Sequence, residues 1–228
     1  MAKEIEVKYL VGMQDFPFDI IPTSSTNQYW LSGKLSVQGY LSSDESHATR
    51  LQIRTRSIDG LTPDTPIMFK DVYCHMNIKG SRDMETRDEF EFPIPRKYAC
   101  DILNLVNERI MKVRLSTSYG WDVDVYLGSN AGLVVAEKEY VSTEQLRADS
   151  VPNWCVRNLT YEDKFYNRNL AVTPFTELDN FDEIVTAIHG DRECMADFVQ
   201  STVAPYEKKI AKLLDGYAKY VSESITIA

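Results

Sequence analysis

The sequence predicts an α+β fold that is mainly antiparallel β: an eight-stranded closed tunnel barrel with peripheral helices and a helical C-terminal extension. Three observations carry that expectation. Charged side chains recur at alternate positions in segment after segment, beginning with Glu4-Ile5-Glu6-Val7-Lys8. The connections between these segments are mostly short and rich in turn residues. Beyond Pro174 the apolar spacing changes from strand to helix period.

Residues 1–12 read as a strand whose side chains alternate between faces, so Glu4, Glu6 and Lys8 share one side and Ile5 and Val7 the other. Residues 13–34, with Pro17, Pro22 and a polar run from Thr23 to Asn27, read as an irregular insertion. Strands follow near 35–42, 48–58, 67–80 and 85–93, punctuated by Asp59-Gly60, Pro63 and Pro66. Their ionic parity collects Arg50, Arg54 and Arg56, then Asn77 and Lys79, then Arg87, Glu89 and Glu91. After Pro93 and Pro95, the spacing of Tyr98, Ile102, Leu105 and Val106 is helical. Three more strands cover about 109–118, 120–127 and 132–140, adding Lys112 and Arg114, Asp122 and Asp124, and Glu137 and Glu139. Tyr119-Gly120 and Gly128-Ser129-Asn130 are the hairpin turns between them. Ser142 and Gln145 form a capping-box signature for a short helix.

The tail carries an apolar stripe through Phe198, Val199, Val203, Tyr206, Ile210, Leu213, Leu214, Tyr217 and Val221, with a kink expected at Pro205. It is expected to pack over the barrel or against a second copy of the chain in a homodimer. The chain thus divides into a tunnel domain, 1–172, and an extension, 173–228.

At 228 residues and 43% hydrophobic content the chain sustains a sizeable core. No signal-like or membrane-length apolar run is visible, so a cytoplasmic address is expected. Cys74, Cys100, Cys155 and Cys194 are widely spaced and are accompanied by only three histidines, a pattern of reduced thiols without zinc motifs. The net charge of −9 argues against long nucleic acid or anionic membrane as a partner. The clustered basic parity nevertheless suits a small polyanion.

Like carboxylates on one face repel each other unless a cation lies between them. If all the ionic faces line one tunnel, Arg and Lys hold the oxygens of a phosphate chain and the acidic pairs hold metal. Oxygen donors select a hard ion, Mg2+ or Mn2+. The best ligands are Glu4, Glu6, Asp124, Glu137 and Glu139, supported by Asp122 and Glu89. Such a site serves phosphoryl transfer through positioning and charge neutralisation. In one version of two-metal catalysis, one ion binds the substrate's oxygens while a second lowers the pKa of the attacking water.

The blocks Glu4 to Val11, Gln38 to Leu41, Arg87 to Pro95, Trp121 to Asp124, Asn130 to Glu139 and Phe165 to Ala171 together resemble the CYTH superfamily, the triphosphate tunnel metalloenzymes. The likeness is to its bacterial inorganic triphosphatase branch and extends over about residues 3–172. It implies an eight-stranded tunnel, a triphosphate held by inward Arg and Lys, and a divalent metal on inward Glu and Asp. Glu4, Glu6, Lys8, Arg54 and Glu139 then form the catalytic set. Lys8, Arg50, Arg54, Arg56, Lys79, Arg87, Lys112, Arg114 and Lys164 bind substrate, and Glu4, Glu6, Asp122, Asp124, Glu137 and Glu139 bind metal. Several positions depart from the family pattern: Asp122 stands for a usual Glu, Asn158 for Glu and Lys164 for Arg. The family's Arg pair maps either to Arg54 and Arg56 or to Arg50 with Gln52, because all four share one parity.

The implied activity is metal-dependent hydrolysis of the terminal phosphate of inorganic triphosphate or a related compound, including thiamine or nucleoside triphosphates. A class IV type adenylyl cyclase is the alternative, although Met1-Ala2-Lys3 leaves no room for the His-Phe pair that precedes ExExK in that branch. Tyr29 or Trp30 would be the candidate stacking partners for an organic leaving group. A non-catalytic triphosphate or nucleotide receptor is the third reading, and it would need the cations but not the carboxylates.

Overall fold

A computed structural model describes residues 5–17, 30–43, 47–55, 72–80 and 89–211. The expected ligand Glu4 and the expected phosphate partners Arg56 and Arg87 lie outside those residues, as does the tail stripe beyond Ile210.

One antiparallel sheet dominates. Its strands are β1 (Ile5–Val11), β2 (Trp30–Ser43), β3 (His47–Thr55), β4 (Val72–Gly80), β5 (Glu89–Pro93), β6 (Arg109–Thr117), β7 (Asp122–Leu127), β8 (Val134–Tyr140) and β9 (Cys155–Asn158). The strand order is β5-β4-β3-β2-β6-β7-β8-β1-β9. Among the described residues there are nine strands where eight were expected. The additional strand, β9, has only four residues, too few for an alternating pattern to declare itself. Among the described residues the ladder does not close, and β5 and β9 are its edges. The insertion expected over 13–34 is corrected as well: β2 begins at Trp30 and runs for 14 residues, pairing Lys34 with Arg114 and Gln38 with Ile110 on β6.

The two faces of the sheet divide as the alternation requires. Ile5, Val7 and Val11 of β1, Leu35 and Val37 of β2, Leu51 and Ile53 of β3, and Val113 and Leu115 of β6 join one hydrophobic core. Helices cover this apolar face. In α1 (Arg96–Leu105) the i, i+4 pair Ala99 and Leu103 is buried. The helix packs on β3 and β4, and a Cβ at Gly39 would stand 2.6 Å from Leu103 Cδ2, so that side chain would have to shift to admit one. The short α2 (Thr143–Ala148) is capped as expected by Ser142, whose hydroxyl accepts from Gln145 N at 3.2 Å. Gln145 reaches back to Val141 N, one residue beyond the usual box partner.

After β9 come α3 (Asn167–Val172), α4 (Phe181–His189) and α5 (Arg192–Phe198). Ile184, Val185 and Ile188 of α4 and Phe175 before it are buried in the same core as the strands. Val203, Tyr206 and Ile210 follow them, so the described part of the extension packs on its own chain. Proline has no N–H to give and its ring crowds the preceding turn. The helix absorbs this through a π-helical turn, Val199–Val203, just ahead of Pro205.

Three anchors bind the extension to the sheet. Asn130 bridges Leu170 O (3.0 Å) and Phe175 N (2.8 Å). His189 Nε2 meets Gly132 O at 2.7 Å, and Glu207 accepts from Gly128 N at 2.7 Å. All four cysteines are free thiols; Cys74 and Cys100 are buried, whereas Cys194 is exposed rather than a packing residue. Among the described residues no helix is long and apolar enough to cross a membrane.

Candidate active site

The ionic face of the sheet lines one cavity of about 670 Å³. It gathers Glu6 and Lys8 from β1, Arg50 and Arg54 from β3, Lys79 from β4 and Glu89 and Glu91 from β5. Lys112 and Arg114 from β6, Asp122 from β7, and Glu137 and Glu139 from β8 complete the ring. Strand parity thus places most of the expected site residues around one space.

On one wall the register does the positioning. Glu6 faces Glu139 and Lys8 faces Glu137 across β1 and β8; Asp122 faces Glu137 across β7 and β8; Arg114 faces Asp124 across β6 and β7. Directly paired residues on one face bring their side chains together. Lys8 Nζ lies 2.8 Å from Glu137. Arg114 bonds Asp124 through Nε at 2.8 Å and through NH2 at 2.6 Å, and also contacts Glu137 and, at 3.3 Å, Asp122. Lys112 pairs with Asp124 as well. Asp124 is 0% exposed and is not part of the cavity lining, so both its oxygens serve as the buried counter-ion of Lys112 and Arg114.

The electrostatics follow from those contacts. Burial alone would discharge Lys8, but Glu137, Glu6 and Asp124 outweigh it and raise its pKa above the ordinary lysine value of 10.5. Burial likewise opposes the charge on Glu137, yet Lys8, Lys112 and Arg114 hold its carboxyl well below the usual range. Lys112 goes the other way: burial and the neighbouring Arg114 lower its pKa despite Asp124. Lys8 is therefore a fixed charge, placed over the Tyr166 ring at 5.8 Å, and is unsuited to proton abstraction at neutral pH.

The opposite wall is looser. Glu89 meets Lys79 at 2.8 Å and Arg50 at 3.5 Å. Asn77 donates to Glu89 at 3.1 Å and to Glu91 at 2.5 Å, and His75 Nδ1 lies 2.6 Å from Glu91. Arg54 donates to Gln52 at 2.9 Å and lies over the Tyr73 ring at 5.8 Å.

Lys164 does not line the cavity: its ammonium bonds Asn180 at 3.0 Å and sits 3.7 Å from Glu162. Phe165 takes the buried position beside it. Conversely, the lining includes residues not singled out from sequence: Lys34, Ser36 and Tyr40 on β2, Ser116 on β6, and Asp163, Tyr166, Asn167 and Arg168 around the start of α3. The first group was detectable, because Lys34, Ser36, Gln38 and Tyr40 occupy alternate strand positions.

No family profile matches the chain. A protein of Acetivibrio thermocellus named inorganic triphosphatase is 28% identical over 180 residues, spanning 77% of this chain and 97% of its own. The chain is thus similar over most of its length to an inorganic triphosphatase. Two solved structures are similar at lower identity. A crystal structure of the inorganic triphosphatase NE1496 has a TM-score of 0.48 and 22% identity, covering 76% of this chain and 97% of that one. The PH1819 protein of Pyrococcus horikoshii has a TM-score of 0.41 and 15% identity, covering 62% and 80%.

A hard divalent ion fits the donor chemistry of the acidic wall, where Glu6, Glu139, Glu137 and Asp122 offer only oxygen and the cavity is lined by neither Cys nor His. Among the described residues, however, no three His, Cys, Asp or Glu side chains already converge into a cage.

Proposed function

We propose that this chain is a divalent-metal-dependent hydrolase that cleaves the terminal phosphate of inorganic triphosphate, releasing orthophosphate and pyrophosphate. The observation that carries the reading is the single cavity in which Arg50, Arg54, Lys79, Lys34 and Arg114 face Glu6, Glu137 and Glu139. The Acetivibrio thermocellus relative, named for this substrate, supports it.

The expected site set divides by wall. Arg50, Arg54 and Lys79 hold phosphate oxygens, with Arg56 and Arg87 as further partners. Lys112 and Arg114 are already neutralised by Asp124, so they fix the field as much as they bind substrate. Glu6 and Glu139, with Glu4, would hold the metal, Mg2+ or Mn2+, helped by Glu137 and Asp122, while Asp124 acts as the counter-ion of Lys112 and Arg114. Bound there, the ion offsets charge on the phosphate oxygens and acidifies water. Lys8, kept charged by Glu137, stabilises the negative charge of the transferring phosphoryl group. Water adds to the terminal phosphorus, the bridging P–O bond breaks, and a proton leaves to solvent.

A closed tunnel is the finer form of this reading. Its support is that residues of every strand from β1 to β8 line one space. The tunnel domain 1–172 and the extension 173–228 belong to the same proposal, since the lining ends at Arg168. Inorganic triphosphate is preferred over a nucleotide because the two lining tyrosines are already engaged, Tyr40 with Gln38 and Tyr166 with Thr160 and Lys8. A cytoplasmic address is supported by the free thiols.

The test is turnover of purified protein with Mg2+ or Mn2+ on inorganic triphosphate, ATP and 5′-triphosphorylated RNA, scoring orthophosphate, pyrophosphate and cyclic nucleotide. Orthophosphate with pyrophosphate from inorganic triphosphate is expected as the fastest reaction. Cyclic nucleotide as the main product, or metal-independent turnover, contradicts the proposal.

A further inference from the structure

Ser36 on β2 lines the cavity, and the register pairs it with Arg54 of β3 on one side and Lys112 of β6 on the other. Its hydroxyl accepts from Gln52 Nε2 at 2.8 Å, and Gln52 Oε1 in turn accepts from Arg54 NH2 at 2.9 Å. Gln52 is buried and stands between Arg50 and Arg54 on the ionic face of β3. A neutral amide thus interrupts a row of cations.

These three side chains can be joined in only one direction. A guanidinium donates and never accepts, so the Gln52 amide must turn its oxygen to Arg54 and its nitrogen to Ser36. The serine oxygen is thereby made an acceptor, and its own hydrogen must point away from Gln52. Among the described residues that hydrogen meets no acceptor, and the space Ser36 lines is the cavity. Arg54 heads the chain. Unlike Arg50 and Arg114, it meets no carboxylate among the described residues; its contacts are Gln52 and the Tyr73 ring at 5.8 Å. A cation at the head of such a chain polarises every donor after it, which makes the Ser36 hydroxyl a stronger donor than an isolated serine.

We propose that Ser36 is a further phosphate-binding residue, its hydroxyl held as a donor to a phosphate oxygen by the relay from Arg54 through Gln52, with Gln52 as the positioning residue. The inference rests on the polyphosphate reading of the cavity and deepens it: between Arg54 and Lys112 the site offers an uncharged donor whose direction is fixed before the ligand arrives. The neutrality of Gln52 is essential to that direction. A carboxylate in its place would accept from Arg54 and from the Ser36 hydroxyl alike, and so would turn the hydroxyl out of the cavity.

The experiment measures binding of inorganic imidotriphosphate to the full chain by calorimetry in Mg2+, with the fold followed by thermal melting. Ser36→Ala should weaken binding about tenfold, the loss of one hydrogen bond to a charged group, whereas Ser36→Thr, which keeps the hydroxyl, should stay within about threefold of wild type. Should Ser36→Ala fail to fold, Ser36→Cys, a weak donor of nearly the same size, takes its place with the same expectation. Gln52→Glu should weaken binding about tenfold or more, and adding Ser36→Ala to it should cost less than about twofold further, because the hydroxyl has already been turned away. A merely structural role for Ser36 would give the same loss in both backgrounds. Wild-type affinity in Ser36→Ala, or a full tenfold loss on adding it to Gln52→Glu, overturns the relay. Failure of the wild-type chain to bind the analogue would instead overturn the polyphosphate reading, and the donor assignment with it.

Discussion

The two walls of the cavity use the same residue types and differ in how far they are closed. On the β6–β7–β8–β1 side, Asp124, Lys112 and Glu137 are 0%, 2% and 8% exposed, and Asp124 and Glu137 meet cations under near-complete burial, with Glu6 half-buried and Glu139 exposed beside them. On the β3–β4–β5 side, Glu91 is 40% exposed in its side chain, Glu89 is 27%, and two buried polar atoms have no partner. Buried pairs are expensive to break, whereas half-solvated pairs exchange partners at little cost. The first wall is therefore a prepaid electrostatic frame, and the second is the side on which a ligand can replace an internal partner.

The sharpest way to break this contrast is in catalysis. Glu6→Ala and Glu139→Ala should each lower turnover by about 10³-fold, roughly 4 kcal/mol of lost charge stabilisation, while thermal melting stays within a few degrees of wild type. Retained turnover in steady-state assays of both variants would remove the metal assignment. Asp124→Asn should act the other way, on folding. Leaving Lys112 and Arg114 buried without their shared counter-ion costs about 3–5 kcal/mol, a drop of about 10 °C in melting temperature by scanning calorimetry. The corresponding change on the open wall, Glu91→Gln, should move the melting temperature by no more than about 2 °C.

Arg50→Ala should reduce kcat/KM for inorganic triphosphate by about 10- to 100-fold, the range of one or two charge-assisted hydrogen bonds. A rise in KM larger than the fall in kcat would place Arg50 in ground-state binding. The smallest expected effect is in pH dependence. Glu137 has a depressed folded pKa, so its contribution to stability is fully present above about pH 4.5 and is lost as the pH falls towards the folded value. Lys8 has a raised folded pKa, so its contribution is fully present below pH 10.5 and is lost as the pH rises through the folded value. Chemical denaturation of Glu137→Gln should show a flatter acid limb than wild type.

Alternation assigns face, and Glu6, Lys8, Arg50, Arg54, Lys79, Glu137 and Glu139 on the ionic faces line one cavity, a convergence that period alone does not supply. Alternation does not assign partners. Asp124 and Asp122 share a face, yet Asp124 is consumed by Lys112 and Arg114 because β6 runs alongside it, a fact of register rather than of period. Nor does periodicity reach the non-strand lining: Asp163, Tyr166, Asn167 and Arg168 come from the turn into a six-residue helix, whose placement depends on contacts such as Tyr126 with Asn167 at 2.5 Å. The early start of β2 was hidden because Ser32 and Gly33 carry loop-like chemistry, and their strand state comes from pairing with β6.

The proposed function seats a polyphosphate between a fixed wall and an exchangeable one. A crystal structure of the full chain with inorganic imidotriphosphate and Mn2+ tests it most directly. The analogue should lie in the cavity, with Arg50 and Lys79 transferred from Glu89 to phosphate oxygens and Asp124 still holding Lys112 and Arg114. An analogue bound elsewhere, or seated in the cavity while Arg50 and Lys79 remain on Glu89, would contradict it.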